Sequence, residues 1–139
     1  MISKINSSFS FKGIAIQDGG LDYLKTQEGE VAVTKAQDSQ KLFENSKWKL
    51  NISKDGYALK SPSTCKTYSG PFTVKKQFKT GAKRENTTAL IVRMDKLNRI
   101  RYIIHFPNME EVSRIYKAIK NSKGLDKMLL LLAVLEKHI

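Results

Sequence analysis

The chain has 139 residues and a formal net charge of +12, with 25 Lys and Arg against 13 Asp and Glu. Its composition, with 40% hydrophobic residues and 3 prolines, excludes a disordered chain and predicts one globular domain over residues 1–139. The longest apolar run, residues 128–135, is too short for a membrane span, which needs about 20 residues.

The N-terminal part predicts a mixture of short elements separated by turn signals. Residues 8–12 alternate between polar and apolar side chains, and a glycine follows at position 13. Asp18-Gly19-Gly20 is typical of a turn. The predicted elements are, in chain order, a strand over 8–16 bent at Gly13, a helix over 21–27, a strand over 31–34 and a helical turn through 41–43 capped by Ser39.

The central part predicts antiparallel strands. Trp48, Leu50 and Ile52 alternate with polar residues, which indicates a strand with one solvated face. The dipeptide Asp55-Gly56 is a strong hairpin signal. The strands that follow it are predicted over residues 57–60, 72–79, 88–94 and 99–106.

Two helices are predicted at the C-terminal end. After Pro107, Asn108 is a favoured N-cap for an amphipathic helix, and Gly124 is predicted to cap its C-terminus. A second helix is predicted over 125–138, and its run 128–135 is apolar on every side. Such a helix is either central to the core or buried by self-association through residues 125–139, and the sequence leaves both open.

These elements predict an α+β fold, an antiparallel β-meander with the C-terminal helices packed on one face. The alternative comes from element order: many short strands followed by an amphipathic closing helix. This order resembles pleckstrin-homology domains, although Tyr116 is the only aromatic residue in the closing helix, where such domains usually carry a tryptophan. The resemblance implies a closed barrel that binds phosphoinositides or acidic peptides.

Nearly all of the excess positive charge lies in the middle of the chain. Residues 35–101 carry a net charge of +11, whereas 1–34 carry −1 and 102–139 carry +2. Charge concentrated in this way attracts polyanions, and strand alternation places much of it opposite the apolar side chains. The predicted polyanion-binding residues are Lys47, Lys49, Lys60, Lys75, Lys79, Lys83, Arg84, Arg93, Arg99 and Arg101.

The first function hypothesis is a non-enzymatic nucleic-acid-binding protein, monomeric or homodimeric. Phosphates would be bound by the basic sheet face and by the loop from Lys79 to Arg84, where Gly81 allows close approach of the backbone. Aromatic residues for base stacking are few on this face, and Tyr57 and Tyr68 are the candidates. The hypothesis therefore predicts binding with little sequence specificity.

Two alternatives stay open. One is an interaction module that binds an acidic protein segment or phosphoinositide headgroups through the same face. The other is a small metal-independent ribonuclease centred on His105, which shares its strand parity with Arg101. Cleavage needs a second acid or base, for which Glu85 and Tyr102 are the candidates. The pattern favours a binding protein over an enzyme and assigns no catalytic residue.

No cofactor or metal is predicted. The two histidines and the single cysteine, Cys65, are far apart in the chain and form no zinc pattern, and there is no phosphate-binding glycine loop. A lone cysteine favours a reducing compartment, and the N-terminal residues lack the apolar run of a signal peptide. These features predict an intracellular protein, cytoplasmic or nuclear, that is not secreted.

Overall fold

The computed structural model describes residues 13–80, 86–96 and 101–139, which form an α+β architecture with two sheets. The described strands are β1 (Gly13–Ile16), β2 (Lys49–Ser53), β3 (Gly56–Lys60), β4 (Thr67–Tyr68), β5 (Thr73–Thr80), β6 (Asn86–Arg93) and β7 (Arg101–Phe106). The described helices are α1 (Gly20–Gln27), α2 (Glu30–Leu42), α3 (Met109–Lys120) and α4 (Gly124–His138).

The chain divides into two compact units. The first contains the described residues up to Tyr68 together with Leu132–Lys137, and the second contains those of Ser69–Leu131 with His138–Ile139. Helix α4 therefore contributes residues to both units. The single domain over 1–139 stays a prediction.

The first unit contains a mixed sheet in the order β1-β2-β3-β4. Strands β2 and β3 form the hairpin predicted from Asp55-Gly56, with Leu50 opposite Leu59. Strand β1 instead pairs in parallel with β2. This departs from the antiparallel arrangement expected from the sequence, because α1 and α2 lie between the two strands and make a connection long enough for a parallel crossover.

The second unit contains the antiparallel meander, in the order β5-β6-β7. Residues Lys76, Leu90 and Ile104 lie opposite one another in its ladders, on the face that packs against α3. The predicted α+β fold is thus confirmed, and in this unit it contains an antiparallel meander with α3 on one face. Within residues 13–80, 86–96 and 101–139 the two sheets stay open and form no closed barrel, so the pleckstrin-homology-like alternative is wrong.

Each unit buries an apolar core that follows the predicted strand alternation. In the first unit the fully buried side chains include Trp48, Leu50, Ile52 and Leu59. In the second unit they include Leu90, Val92, Val112 and Ile119. Since α3 carries the last two residues at helical spacing, its apolar stripe faces the sheet as the sequence predicted.

The sequence assignment was wrong over residues 31–42. The expected strand over 31–34 and the turn after Ser39 are parts of one helix, α2. Its buried residues are Ala32, Ala36 and Ser39, which recur at helical spacing, while Val31 is 77% exposed. The β-branched residues suggested a strand, but small residues form the face that packs.

The helix ends at the C-terminus are partly as predicted. Asn108 caps α3, since its Oδ1 accepts a hydrogen bond from the Glu111 backbone N–H at 2.8 Å. The predicted C-cap at Gly124 is wrong, because α3 ends at Lys120 and Gly124 begins α4. Of the strands predicted over 8–16 and 99–106, residues 8–12 and 99–100 lie outside the described residues.

The apolar run of α4 is largely buried by the chain itself. The buried residues of this helix are Leu125, Met128, Leu131, Leu132 and Leu135, each at most 3% exposed. This burial agrees with a helix that is central to the core, which is one of the two alternatives left open by the sequence. Self-association through residues 125–139 stays a prediction.

Replacing Leu90 by alanine should lower the free energy of unfolding by about 2–5 kcal/mol, because the side chain is fully buried in the ladder centre and leaves a cavity. Ile103 on the neighbouring strand β7 is 47% exposed and gives a matched control. Ile103→Ala should cost less than about 1 kcal/mol. Urea unfolding measures both, and equal losses would contradict the described alternation.

Candidate polyanion-binding faces

The side of the second sheet opposite the α3 side is free of acidic residues, and we name it the Lys75 face. Residues directly opposite in a ladder share a face, so register defines its members. They are Thr73, Lys75, Gln77, Lys79, Thr87, Ala89, Ile91, Arg93, Arg101, Ile103 and His105. Four of these positions hold Lys or Arg and none holds Asp or Glu.

Two arginines lie side by side on this face. Arg93 of β6 is opposite Arg101 of β7 in the ladder, and Thr73 lies on the other side of Arg93. Like charges directly opposite on neighbouring strands are destabilising. The Arg93 Nε is also buried without a hydrogen-bond partner among the described residues. A buried donor without a partner costs free energy, so this position is unfavourable in the free protein.

The Lys75 face is not uniformly polar. Ala89 and Ile91, at the centre of β6, are buried. Lys75 and His105 are exposed on the outer strands, and Ile103 is exposed between the positions of Arg101 and His105. The accessible part of the face therefore combines basic side chains with one exposed aliphatic side chain.

A second basic pair lies in the first unit. Lys49 of β2 is directly opposite Lys60 of β3 in the ladder, and both side chains are partly buried. Burial lowers the pKa of the Lys49 ammonium, and the positive charge of Lys60 lowers that pKa further. The predicted site residues are therefore divided between two sheets. Strand parity predicted a single basic face, whereas the structure has one basic face on each sheet.

Removing the charge of Lys60 should stabilise the protein. Lys60→Gln removes a like charge opposite Lys49, and we expect a gain of about 0.2–1 kcal/mol in the free energy of unfolding at low salt. Lys54→Gln, at an exposed turn position, is the matched control and should change little. Thermal unfolding at low and high salt measures the difference, which should shrink as salt screens the repulsion. A destabilised Lys60→Gln protein would contradict the repulsion.

Lys47 has an acidic neighbour in the same unit. The Glu136 carboxylate accepts hydrogen bonds from the Lys47 backbone N–H at 2.9 Å, the Trp48 backbone N–H at 3.1 Å and the Ser46 hydroxyl at 2.7 Å. The charge of Lys47 also acts on this carboxylate. The negative charge of Glu136 therefore lies close to Lys47 and makes this part of the chain less favourable for a phosphate than a lysine with no acidic neighbour.

Glu136 should make stability depend on pH. Burial raises the pKa of the Glu136 carboxyl, but the hydrogen bonds from residues 46–48 lower it by more, so the folded pKa lies below the unfolded pKa. A carboxyl whose pKa is lower in the folded protein stabilises the fold at any pH above its unfolded pKa, which is near 4.5. This stabilisation is lost as the pH falls through the pKa of the folded protein. Glu136→Gln should therefore destabilise the protein at pH 7 and less so at pH 3. Urea unfolding of both proteins between pH 3 and pH 7 measures this effect. A difference in the free energy of unfolding that stays constant with pH would contradict the role given to Glu136.

The structure gives His105 no second acid or base in its ladder row. His105 is exposed on β7, opposite Ala89, which in turn is opposite Gln77. Tyr102 has the opposite strand parity and lies on the α3 side, so it was a wrong choice of partner. Glu85 lies outside the described residues, as do Lys83, Arg84 and Arg99.

The two tyrosines suggested for base stacking do not share a face with the Lys49–Lys60 pair. Tyr57 lies opposite Ile52, and its hydroxyl hydrogen-bonds to Glu28. Tyr68 lies opposite Leu59 and is 9% exposed. Both are therefore on the apolar side of the first sheet, and neither offers a free ring to a nucleic acid bound on the basic side.

Sequence reasoning missed an aromatic and basic cluster in the second unit. The Nζ atoms of Lys76 and Lys120 lie 5.3 Å and 5.4 Å from the centroid of the Tyr116 ring. The spacing of Tyr116 and Lys120 along α3 predicts that they meet. Lys76 comes from β5, and its contact depends on the packing of helix on sheet, which the sequence pattern did not give.

One cavity of the first unit has the opposite charge. It has a volume of about 330 Å³ and lies beside the turn between β1 and α1. Its polar lining consists of Asp18, Asp22, Gln17, Gln37 and Gln40. With two carboxylates and no basic side chain, it does not contribute to binding an anion.

Within the described parts of the chain, no group of three or more His, Cys, Asp or Glu side chains is placed to hold a metal ion. None of the described helices has the length and apolar character required to cross a membrane. No family model, curated protein or solved structure matches the chain.

Proposed function

We propose that the protein binds nucleic acid without enzymatic activity, by contacts between phosphates and the Lys75 face. The observation that supports this best is the register of β5, β6 and β7, which collects basic residues on one face without an acidic residue among them. A mixed-charge surface would attract and repel a polyanion at once, whereas this face only attracts it.

The energetics of such binding are electrostatic. Each Lys or Arg that neutralises a phosphate releases a condensed counterion, so that affinity falls steeply as salt rises. The opposed Arg93 and Arg101 positions add to this, because a phosphate near them would offset their mutual repulsion. Arginine also offers paired N–H donors that match the oxygens of a phosphate.

Sequence specificity is expected to be low on this face. Phosphate contacts fix the position of a protein on nucleic acid, while base contacts specify sequence. The Lys75 face presents lysine, arginine, the exposed His105 and one exposed aliphatic residue, Ile103, and none of its positions holds Phe, Tyr or Trp. An acidic protein segment or an anionic lipid headgroup presents similar negative charges to the same face. Binding of an acidic peptide and of lipid vesicles is therefore measured alongside binding of nucleic acid.

Charge reversal at Lys75, Lys79 and Arg101 should weaken binding to DNA and RNA and flatten its salt dependence. The slope of log affinity against log salt should fall in magnitude by up to about 3, roughly one for each lost phosphate contact. Fluorescence anisotropy of single-stranded and double-stranded DNA and RNA at several salt concentrations measures this slope.

The control variant carries the same total change of charge elsewhere. Lys41, Lys54 and Lys137 are exposed residues of the first unit, and reversing them should leave most of the binding intact. Equal losses in both triple variants would show a general charge effect in place of a site. Absence of binding to all four nucleic acids at low salt would refute the proposed function, and tight binding to acidic peptide or phosphoinositide vesicles would then identify the other class of partner.

A further inference from the structure

An exposed aromatic and basic cluster lies on the opposite side of β5 from Lys75. It consists of Lys76, Phe78, Tyr116 and Lys120, and we name it the Tyr116 cluster. Lys76 and Phe78 are two residues apart on β5 and therefore share a face, the one on which α3 packs. Tyr116 and Lys120 belong to α3 and are one helical turn apart.

The two ammonium groups hold positions around a single ring. Lys76 Nζ is 5.3 Å and Lys120 Nζ 5.4 Å from the Tyr116 centroid, and both lysine side chains are exposed. Each is attracted to the ring, but the two positive charges repel each other. A phosphate placed between them would be attracted by both charges and would compete with the ring for them. A face of the half-buried Tyr116 ring would then become available to a base.

Phe78 adds an apolar surface that the fold does not bury. Its side chain is 44% exposed, although it lies on the same strand face as the half-buried Val74. Strand β5 is the outer strand of its sheet, so Phe78 stands at an edge and is accessible from solvent. An exposed aromatic ring next to lysines is the combination that single-stranded nucleic acid uses, with bases stacked on rings and phosphates on cations.

We infer that the Tyr116 cluster binds the unpaired bases of a single-stranded nucleic acid, with Phe78 or Tyr116 stacking on a base and Lys76 and Lys120 contacting flanking phosphates. This inference rests on the proposed function and adds a substrate class to it. Lys75 and Lys76 are consecutive residues with opposite strand parity. A strand that crosses the β5 edge therefore meets the Lys75 face on one side and the Tyr116 cluster on the other.

Duplex nucleic acid cannot use this site in the same way. Its bases are stacked within the helix and present no free π-face to a side chain, whereas every unpaired base does. The inference therefore requires that the protein binds a single strand more tightly than a duplex of equal length. This preference must exceed any difference in affinity that comes from phosphate contacts alone.

The test compares variants that remove or keep the rings. Phe78→Leu and Tyr116→Leu should each weaken binding to a 20-nucleotide single strand by roughly tenfold, with little change for a duplex of the same sequence. Phe78→Tyr and Tyr116→Phe keep an aromatic ring and should bind like the unmodified protein. Anisotropy titrations at one fixed salt concentration give all of these affinities, and thermal unfolding confirms that each variant is folded.

A second measurement needs no variant and so does not depend on folding. Ultraviolet cross-linking of the unmodified protein to a single-stranded oligonucleotide, followed by peptide mass spectrometry, should place an adduct on Phe78 or Tyr116. Adducts found only elsewhere would overturn the inference.

The two proposals fail in different ways. If binding is salt-dependent and is lost on reversing Lys75, Lys79 and Arg101 but is unaffected by Phe78→Leu and Tyr116→Leu, the proposed function stands and this inference is wrong. Equal affinity of the unmodified protein for single strands and duplexes would also overturn it. If the protein binds no nucleic acid at low salt, both proposals are wrong.

Discussion

The ladder between β5 and β6 determines which residues of these two strands share each face of the second sheet. It pairs eight residues of each strand without interruption, from Thr73 opposite Arg93 to Thr80 opposite Asn86. A slip by one residue would exchange the two faces of the strand, placing Leu90 and Val92 away from α3. Because both side chains are fully buried, that slip would expose the core, and hydrophobic burial thereby also fixes which lysines share the Lys75 face.

The same alternation places basic residues at directly opposite positions. Arg93 with Arg101, and Lys49 with Lys60, are directly opposite on neighbouring strands in the two sheets. Like charges at such positions are unfavourable. In the first unit burial lowers the pKa of Lys49, and the charge of Lys60 lowers it further. The buried core fixes the strand register and thereby maintains this local repulsion, from which the fold itself gains nothing.

Period-two alternation made β2, β3, β5, β6 and β7 predictable, though not the short β4, and the favourable cap at Asn108 located the start of α3. Two kinds of structure were not predictable from it. Helix α2 packs through Ala32 and Ala36, whose small side chains give a weak hydrophobic pattern beside the β-branched Val31 and Val33. The division into two sheets, and the contact of Lys76 with Tyr116, depend on non-local packing that strand parity does not contain.

The position of β5 at the edge of its sheet has a consequence for the behaviour of the protein in concentrated solution. An edge strand offers unpaired backbone groups to other chains, and charged lysines keep those chains apart. Lys75 and Lys76 on opposite sides of β5 supply this protection with their positive charge. Loss of these two charges, by substitution or by neutralisation, would therefore weaken the repulsion between protein copies and leave the β5 backbone groups open to pairing with another chain.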